Sequence, residues 1–407
     1  MEEFGDRCLR AVGESGAGLC RLELSGVSGS LSDNGLLSAI NPKSAASMET
    51  LVVSGQHEGA LPLVTDASVA RLLRAAAGSL QTLSLDGTAV STVGMARALN
   101  ASAGGAAAGS TPGAAGAALE APALTLPTLH TLDLRYCASL SSSSQGQPGG
   151  ETGLTALLRQ CPSLKCLHLS NPPSQDVVAA VTSCKGQCQG QRAPPQEESA
   201  PSSTLDVLTL AACGAFLSDS ASLASVLPAH TFANLRILSL DGCSGLASLS
   251  LVDLVVGEAA EGADEEAVPP QPPVFSLPAL QDLSCAGCAA LTSVDVRHGR
   301  LRQLDFGMCG QLAQLDLACP ELGKMNVAWC DLLAFDSGTQ WLVPKLLMLD
   351  AQNTGINVRN ISALASGCPQ LSSVDVSGCQ RVVCNEEEQS IAVGLQEKYP
   401  DLFLDQF

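Results

Sequence analysis

Aspartate and asparagine side chains recur at one position of a short motif that repeats along the chain. This position lies between two apolar residues that alternate as in a β-strand, so its side chain points outward onto the face of a sheet. The residues there are Asp133, Asp305, Asn326, Asp350 and Asp375. A second row on the opposite face is predicted from Asp295, Asp316 and Asp336. Such rows can pair with lysine and arginine side chains of a partner and make its binding sensitive to salt. Alternatively, aspartate is merely a common residue at this position of the repeat.

Residues typical of catalysis or metal binding form no comparable pattern. The motifs G-x-x-x-x-G-K-[ST], G-x-S-x-G and H-E-x-x-H do not occur. The histidines are scattered singly and are interpreted as surface or turn residues: His57, His130, His168, His230 and His298. Cys184 and Cys188 form only half of a zinc site, since no second pair lies nearby. We therefore predict no enzymatic activity, no metal and no cofactor.

The composition narrows the classes of partner. The 407 residues carry 21 Lys and Arg against 40 Asp and Glu, a formal net charge of −19, which disfavours nucleic acid and anionic membranes. Apolar residues make up 46% and aromatic residues only 3%, which suits a core of many similar thin layers. The acidic first residues are not followed by an apolar run, and no stretch reaches the roughly 20 apolar residues of a membrane helix. These features predict an intracellular protein, cytoplasmic or nuclear, whose partner is a protein with a basic segment.

The elements that position the acidic rows are predicted by the motif itself, L-x-x-L-x-L-x-x-C. It is the signature of a leucine-rich repeat, so the predicted fold class is α/β, a solenoid with a curved parallel β-sheet and helical returns. The final cysteine is expected to be a reduced, buried thiol under the turn. The best copies span 129–137, 205–213 and 235–243; others span 301–309, 322–330 and 371–379, and weaker ones start at Leu19, Met48, Leu80, Leu164, Leu280 and Leu346.

The returns between strands are of two kinds. Residues 65–73 and 360–365 are predicted to be helical, with Thr65 or Asp66 capping the first. The Cys-Pro pairs at Cys161, Cys319 and Cys368 are expected to end such returns. Between 280 and 333 the motif recurs every ten or eleven residues, which leaves no room for a helix. Each turn of about 21 residues there is predicted to contain two strands, one on each face.

The predicted organisation alternates repeats with insertions. Repeats occupy 1–100, 121–184, 205–256 and 274–383, the last with the short two-strand turns near 280–340, and a cap occupies 384–407. The predicted insertions are the Ala- and Gly-rich 101–120, the flexible 185–204 and the acidic and Pro-rich 257–273, with a further interruption at 141–150. Their composition does not support a packed core.

The repeats resemble the cysteine-containing leucine-rich repeats of the F-box family. Residues 151–169 and 366–379 carry the match, C-P-x-L followed by the strand motif, and the resemblance extends over about 19–383. It implies a repeat region that binds substrates of a cullin-based ubiquitin ligase (SCF), whose F-box binds the ligase adaptor. No F-box motif occurs in these residues, and both tryptophans, Trp329 and Trp341, lie inside the repeats. Two alternatives stay open: a ligase receptor whose F-box lies upstream, with the cullin-ligase adaptor as a partner, or an F-box-free adaptor in signalling or cytoskeletal assembly.

Overall fold

The chain folds into two compact units, Met1–Leu205 and Asp206–Phe407, in a computed structural model. The structure describes residues 5–16, 18–25, 32–40, 42–55, 64–92, 94–95, 125–137, 153–172, 204–214, 217–252, 275–333, 335, 341–379 and 386–398. The predicted insertions at 101–120, 141–150 and 257–273 lie outside these ranges, as does 185–204 apart from Thr204. None of the helices in the described ranges is long and apolar enough to cross a bilayer.

Unit 1 alternates parallel strands with helices. Its elements are α1 (Asp6–Glu14), β1 (Arg21–Ser25), α2 (Asp33–Ala39), α3 (Pro42–Ser47), β2 (Thr50–Ser54), α4 (Asp66–Ala76), β3 (Thr82–Ser84), β4 (Thr131–Leu134), α5 (Gly153–Arg159) and β5 (Cys166–Ser170). Within this unit, strands β1, β2, β3 and β4 each pair in parallel with the next one along the chain, up to β5. The helices cover the sheet with apolar faces, such as Val69, Leu72 and Leu73 of α4, all buried.

Unit 2 contains two parallel sheets. Its elements are β6 (Val207–Ala211), α6 (Ser220–Val226), β7 (Ile237–Ser239), β8 (Ser248–Val252), β9 (Asp282–Ser284), β10 (Ser293–Arg297), β11 (Gln303–Asp305), β12 (Gln314–Ala318), β13 (Lys324–Asn326), β14 (Trp341–Leu342), β15 (Met348–Asp350), α7 (Val358–Gly367), β16 (Ser373–Asp375) and α8 (Glu386–Lys398). Strands β6, β7, β9, β11, β13, β15 and β16 lie in one sheet, and β8, β10, β12 and β14 form the other. The α/β leucine-rich-repeat class is confirmed, including the turns with two strands each.

The core of unit 2 is a stack of equivalent apolar side chains. Leu283, Leu304 and Met325 occupy the middle of successive strands of the first sheet and are at most 3% exposed. Leu249, Val294 and Leu315 take the matching positions in the second sheet. Since each strand has only two to five residues, every turn contributes one thin layer, which explains why few aromatic rings are needed.

The repeated cysteine links one turn to the preceding one. In most copies the thiol is buried, as predicted, and donates a hydrogen bond to a backbone carbonyl of the previous repeat. Cys213 donates to Ala211 of its own repeat instead, and Cys379 is only partly buried. Cys309 Sγ lies 3.1 Å from the Cys285 carbonyl, and Cys330 Sγ lies 3.1 Å from the Phe306 carbonyl. Burial raises the pKa of Cys137 to about 11 and that of Cys330 to about 12. Because the thiolate is the reactive form, these groups are unreactive while the repeats are folded.

This burial predicts how the native protein reacts with iodoacetamide at pH 8. Among the described cysteines, Cys8 and Cys20 are exposed and should be alkylated first, Cys166 and Cys379 more slowly, and the ten buried thiols only after unfolding. Peptide mass spectrometry after labelling with and without denaturant measures this order. Labelling of Cys309 or Cys330 in the native protein, at the rate of Cys8, would show that the thiols are not held in the core.

Aspartates connect the helix starts of unit 1 in a way the sequence motif did not reveal. The first residues of α1, α2 and α4 each accept two hydrogen bonds, one from the N–H and one from the O–H of a Ser or Thr in the next repeat. The pairs are Asp6–Ser32, Asp33–Thr65 and Asp66–Ser91. Burial alone would raise the pKa of Asp33, but the hydrogen bonds from Ser68 and Thr65 together lower it below its usual value.

Two predictions of local structure were wrong in detail. Thr65 does precede α4, but its hydroxyl does not cap that helix; it donates to Asp33 instead, 2.7 Å away, while Asp66 is held by Ser91. The pair Cys319-Pro320 follows the strand β12, not a helix, because the turn has no helical return there. The other two Cys-Pro pairs follow α5 and α7, as predicted.

Candidate functional site

Four of the five predicted positions of the first row are neighbours in unit 2. Backbone register places Ser284, Asp305, Asn326, Asp350 and Asp375 side by side on β9, β11, β13, β15 and β16. Asp133 lies in unit 1, between Ser84 of β3 and His168 of β5. The fifth predicted residue, Asp133, therefore has register partners of its own in unit 1.

A groove runs over this row of unit 2. Its volume is about 500 Å³, and the structure lines it with residues of β7, β9, β11, β13, β15 and β16. Among its described lining residues are four aspartates, Asp282, Asp305, Asp350 and Asp375, and one cation, Lys324. Met348 and Ile237 add exposed apolar surface to the same lining, with 46% and 38% of each residue exposed. The groove is thus acidic, with some exposed apolar surface in its lining.

Each of the five predicted Asp and Asn residues has a structural role through one of its side-chain oxygens. The Oδ1 atom accepts the backbone N–H two residues later and so closes the turn after the strand. The distances are 2.8 Å from Gly307 to Asp305, 2.9 Å from Ala328 to Asn326, 3.2 Å from Gln352 to Asp350, 3.0 Å from Ser377 to Asp375 and 3.1 Å from Arg135 to Asp133. This explains why Asp and Asn are common here, and it leaves the second oxygen of each carboxylate for other contacts.

The second oxygens differ in how far they are satisfied. Gln352 Nε2 donates to Oδ2 of Asp375 at 2.8 Å and, more weakly, to Oδ2 of Asp350. No described residue donates a hydrogen bond to Oδ2 of Asp305. Burial is the main reason why the pKa of Asp350 is raised, and the nearby charges of Asp375 and Asp305 add to it. Burial likewise raises the pKa of Asp282 despite Arg236 and Arg302.

Asp133 differs because an arginine of the chain covers it. Arg135 donates to both carboxylate oxygens, Nε to Oδ1 at 3.0 Å and Nη2 to Oδ2 at 2.8 Å. Burial opposes ionisation of Asp133, but these bonds outweigh it, so its pKa is lowered. The charge at this position is already paired within the chain, which makes Asp133 a weaker candidate than the row in unit 2.

The predicted second row is only partly within the described residues. Asp295 and Asp316 are register partners on β10 and β12, in the other sheet, as predicted. Arg297 donates to Asp295 at 3.0 Å. Asp336 lies outside the described residues. Both rows remain predicted binding positions.

One histidine was misjudged from the sequence. His298 is 1% exposed; its Nε2 lies 3.0 Å from the Leu277 carbonyl and its Nδ1 accepts the N–H of Arg300, so it is a core residue that joins two turns. His130 and His168 are partly buried and His230 is exposed, while His57 lies outside the described residues. In the described part of the chain, no three His, Cys, Asp or Glu side chains converge as metal ligands. Cys184 and Cys188 lie outside that part.

Two exposed apolar residues in the turns after β11 and β13 were missed. Met308 and Trp329 directly precede the motif cysteine in adjacent repeats and are 69% and 52% exposed. Both have a φ of 63°, in the left-handed region where the equivalent residues Gly242, Gly287 and Gly378 are glycine. A side chain there costs roughly 1 kcal/mol. The signal was present in the sequence, since the motif position before the cysteine changes from glycine to a large apolar residue in only some repeats.

Comparisons with known proteins give likenesses in structure alone. No protein-family model matches the chain, and no curated protein matches it by sequence. Among solved structures, the chain is similar to one from the complex of Rad7 and Elc1 in yeast, with a TM-score of 0.45, 16% identity, and coverage of 93% of this chain and 84% of that one. It is also similar to one from the complex of TLR13 with ssRNA13, with a TM-score of 0.38, 16% identity, and coverage of 94% and 48%.

Proposed function

We propose that the chain is a protein-interaction scaffold that binds a basic segment of a partner protein in the groove of unit 2. The groove itself supports this most directly, because four aspartates and one lysine line it. Neighbouring strands lie about 4.8 Å apart, so a segment that crosses them meets the carboxylates one after another. Cations of the partner would also offset the repulsion that Asp350 experiences from Asp375 and Asp305.

The resemblance of the repeats to F-box proteins supports a narrower proposal. In it, the partner is a substrate for ubiquitin-dependent degradation, presented to a cullin-based ligase (SCF) in the cytoplasm or nucleus. The test is affinity purification of the full-length native product from its own cells at moderate salt. Stoichiometric co-elution of the cullin-ligase adaptor supports a receptor; its absence contradicts the ligase role and leaves the F-box-free adaptor of signalling or cytoskeletal assembly.

A pair of double variants tests the groove independently of the ligase. Asp305→Asn with Asp350→Asn removes two charges from the groove but keeps the Oδ1 atoms that close the turns. We expect it to weaken binding of the wild-type partners by about tenfold or more, and raised salt to weaken wild-type binding in the same direction. Quantitative mass spectrometry of recovered partners at about 0.1 and 0.5 M salt measures both effects.

The matched control is Glu386→Gln with Glu397→Gln, which removes the same charge from two exposed residues of α8, outside both rows. It should retain the partners. Equal losses in the two double variants would mean that only the net charge matters, and the groove would not be the binding site.

A further inference from the structure

The chain contains its own example of an arginine bound at the row position. In unit 1, the guanidinium of Arg135 pairs with Asp133 through two parallel hydrogen bonds of 3.0 and 2.8 Å. In the second sheet, Arg297 Nε donates to Asp295 at 3.0 Å. In both cases the arginine lies two residues after the aspartate. An aspartate in the middle of these short strands is therefore accessible to a guanidinium at the position two residues later.

The groove of unit 2 offers the same carboxylate without the intrachain arginine. The residue two positions after Asp305 is Gly307, and the neighbouring strand has Ala328 at the matching position. A Cβ at Gly307 would lie 2.8 Å from Nδ2 of Asn326, the movable end of a side chain. Neither Gly307 nor Ala328 has a side chain that reaches Oδ2 of Asp305, and no other described residue donates to it.

An apolar border adjoins this carboxylate. Met308 follows Gly307, and its N–H donates at 2.7 Å to the carbonyl of Ala328, the residue before Trp329. The two large exposed side chains therefore start from adjacent turns, those that follow β11 and β13. Tryptophan is the best aromatic partner for a guanidinium, and the arginine stem packs on apolar surface. Lysine lacks the planar fork that matches a carboxylate.

We propose that the groove recognises an arginine of an extended partner segment, whose guanidinium binds Asp305 over Gly307 while its stem lies along Met308 and Trp329. The partner's arginine would make with Asp305 the same contact that Arg135 makes with Asp133 within the chain. This inference rests on the proposed function, because it names the side chain that the same groove selects. It distinguishes arginine from lysine, which a general acidic surface does not.

The test uses the full chain and two synthetic peptides, Gly-Arg-Gly-Arg-Gly and Gly-Lys-Gly-Lys-Gly, titrated by calorimetry at low salt. We expect the arginine peptide to bind about tenfold more tightly than the lysine peptide. Asp305→Asn and Trp329→Leu should each reduce that preference to nearly onefold, while Glu397→Gln, at an exposed position of α8 outside both rows, leaves it unchanged. Far-UV circular dichroism checks that each variant is folded.

A variant that adds an arginine next to Asp305 tests the proposal even if Asp305→Asn or Trp329→Leu fails to fold. Gly307→Arg supplies the arginine from within the chain, so it should abolish the preference for the arginine peptide. Gly310→Arg adds the same charge at a position where a Cβ meets no atom within 4 Å, and should retain the preference. If both peptides bind the groove of the wild type equally tightly, and their binding weakens with salt, the arginine site is overturned but the proposed function is supported. Binding of neither peptide would overturn both.

Discussion

Phe306→Ala is expected to lower the free energy of unfolding of unit 2 by about 3–5 kcal/mol, the usual cost of emptying a buried phenylalanine site. Phe306 is 0% exposed and is one of the largest fully buried side chains of the described residues. Its carbonyl also accepts the thiol of Cys330, and its N–H donates to the Asn326 carbonyl, so it lies where two turns are joined. Strands of three residues cannot shift to fill the space without breaking these bonds.

Hydrogen exchange with mass spectrometry is the suitable measurement, since repeat arrays do not unfold as one unit. Protection of the β11 and β13 amides should fall most, and that of unit 1 least. Met308→Ala is the matched control: it lies two residues away, is 69% exposed and should change protection little. If Phe306→Ala lowers the free energy of unfolding by less than about 1 kcal/mol, the core around Phe306 is loosely packed. That result would contradict the close packing inferred from the burial of Phe306.

The sequence predicted the fold well because its signal is repeated. The L-x-L alternation and the ten-residue spacing after Leu280 specify short strands whichever repeat is considered, and the two sheets of unit 2 follow from that spacing. The row of Asp305, Asn326, Asp350 and Asp375 could be predicted for the same reason: equal motif positions become register partners in a parallel sheet.

What depends on contacts between different motif positions could not be predicted. Nothing in the pattern shows that Arg135 covers Asp133 while Gly307 leaves Asp305 open, because that difference lies outside the apolar positions that define the repeat. His298 was predicted to lie at the surface because an isolated histidine belongs to no repeating pattern that would indicate burial, yet it is buried. The groove is formed by side chains from strands that are distant in sequence, such as β7 and β9, and its depth depends on the sizes of those side chains and not on the repeat pattern.

Gly35→Ala should lower the free energy of unfolding of unit 1 by about 1–3 kcal/mol, although alanine normally stabilises a helix relative to glycine. Gly35 lies in the first turn of α2, and its N–H donates to the Ser32 hydroxyl that caps this helix. A Cβ at Gly35 would overlap the carboxylate of Asp6 and lie 2.9 Å from its Cα. Asp6 would have to move away, and it would then lose its hydrogen bonds from Ser32.

The same substitution at Gly394 is the control, because that glycine lies in α8 with no atom within 4 Å of an added Cβ. Gly394→Ala should be neutral or stabilise by up to about 1 kcal/mol. A double variant, Gly35→Ala with Asp6→Ala, separates the clash from a simple effect on the helix: if the aspartate is the cause, the second change adds little to the first. If the two losses of stability add fully, Gly35→Ala acts through the helix backbone and not through Asp6. The aspartates at the helix starts would then be independent hydrogen-bond acceptors, and not part of a close-packed contact between repeats.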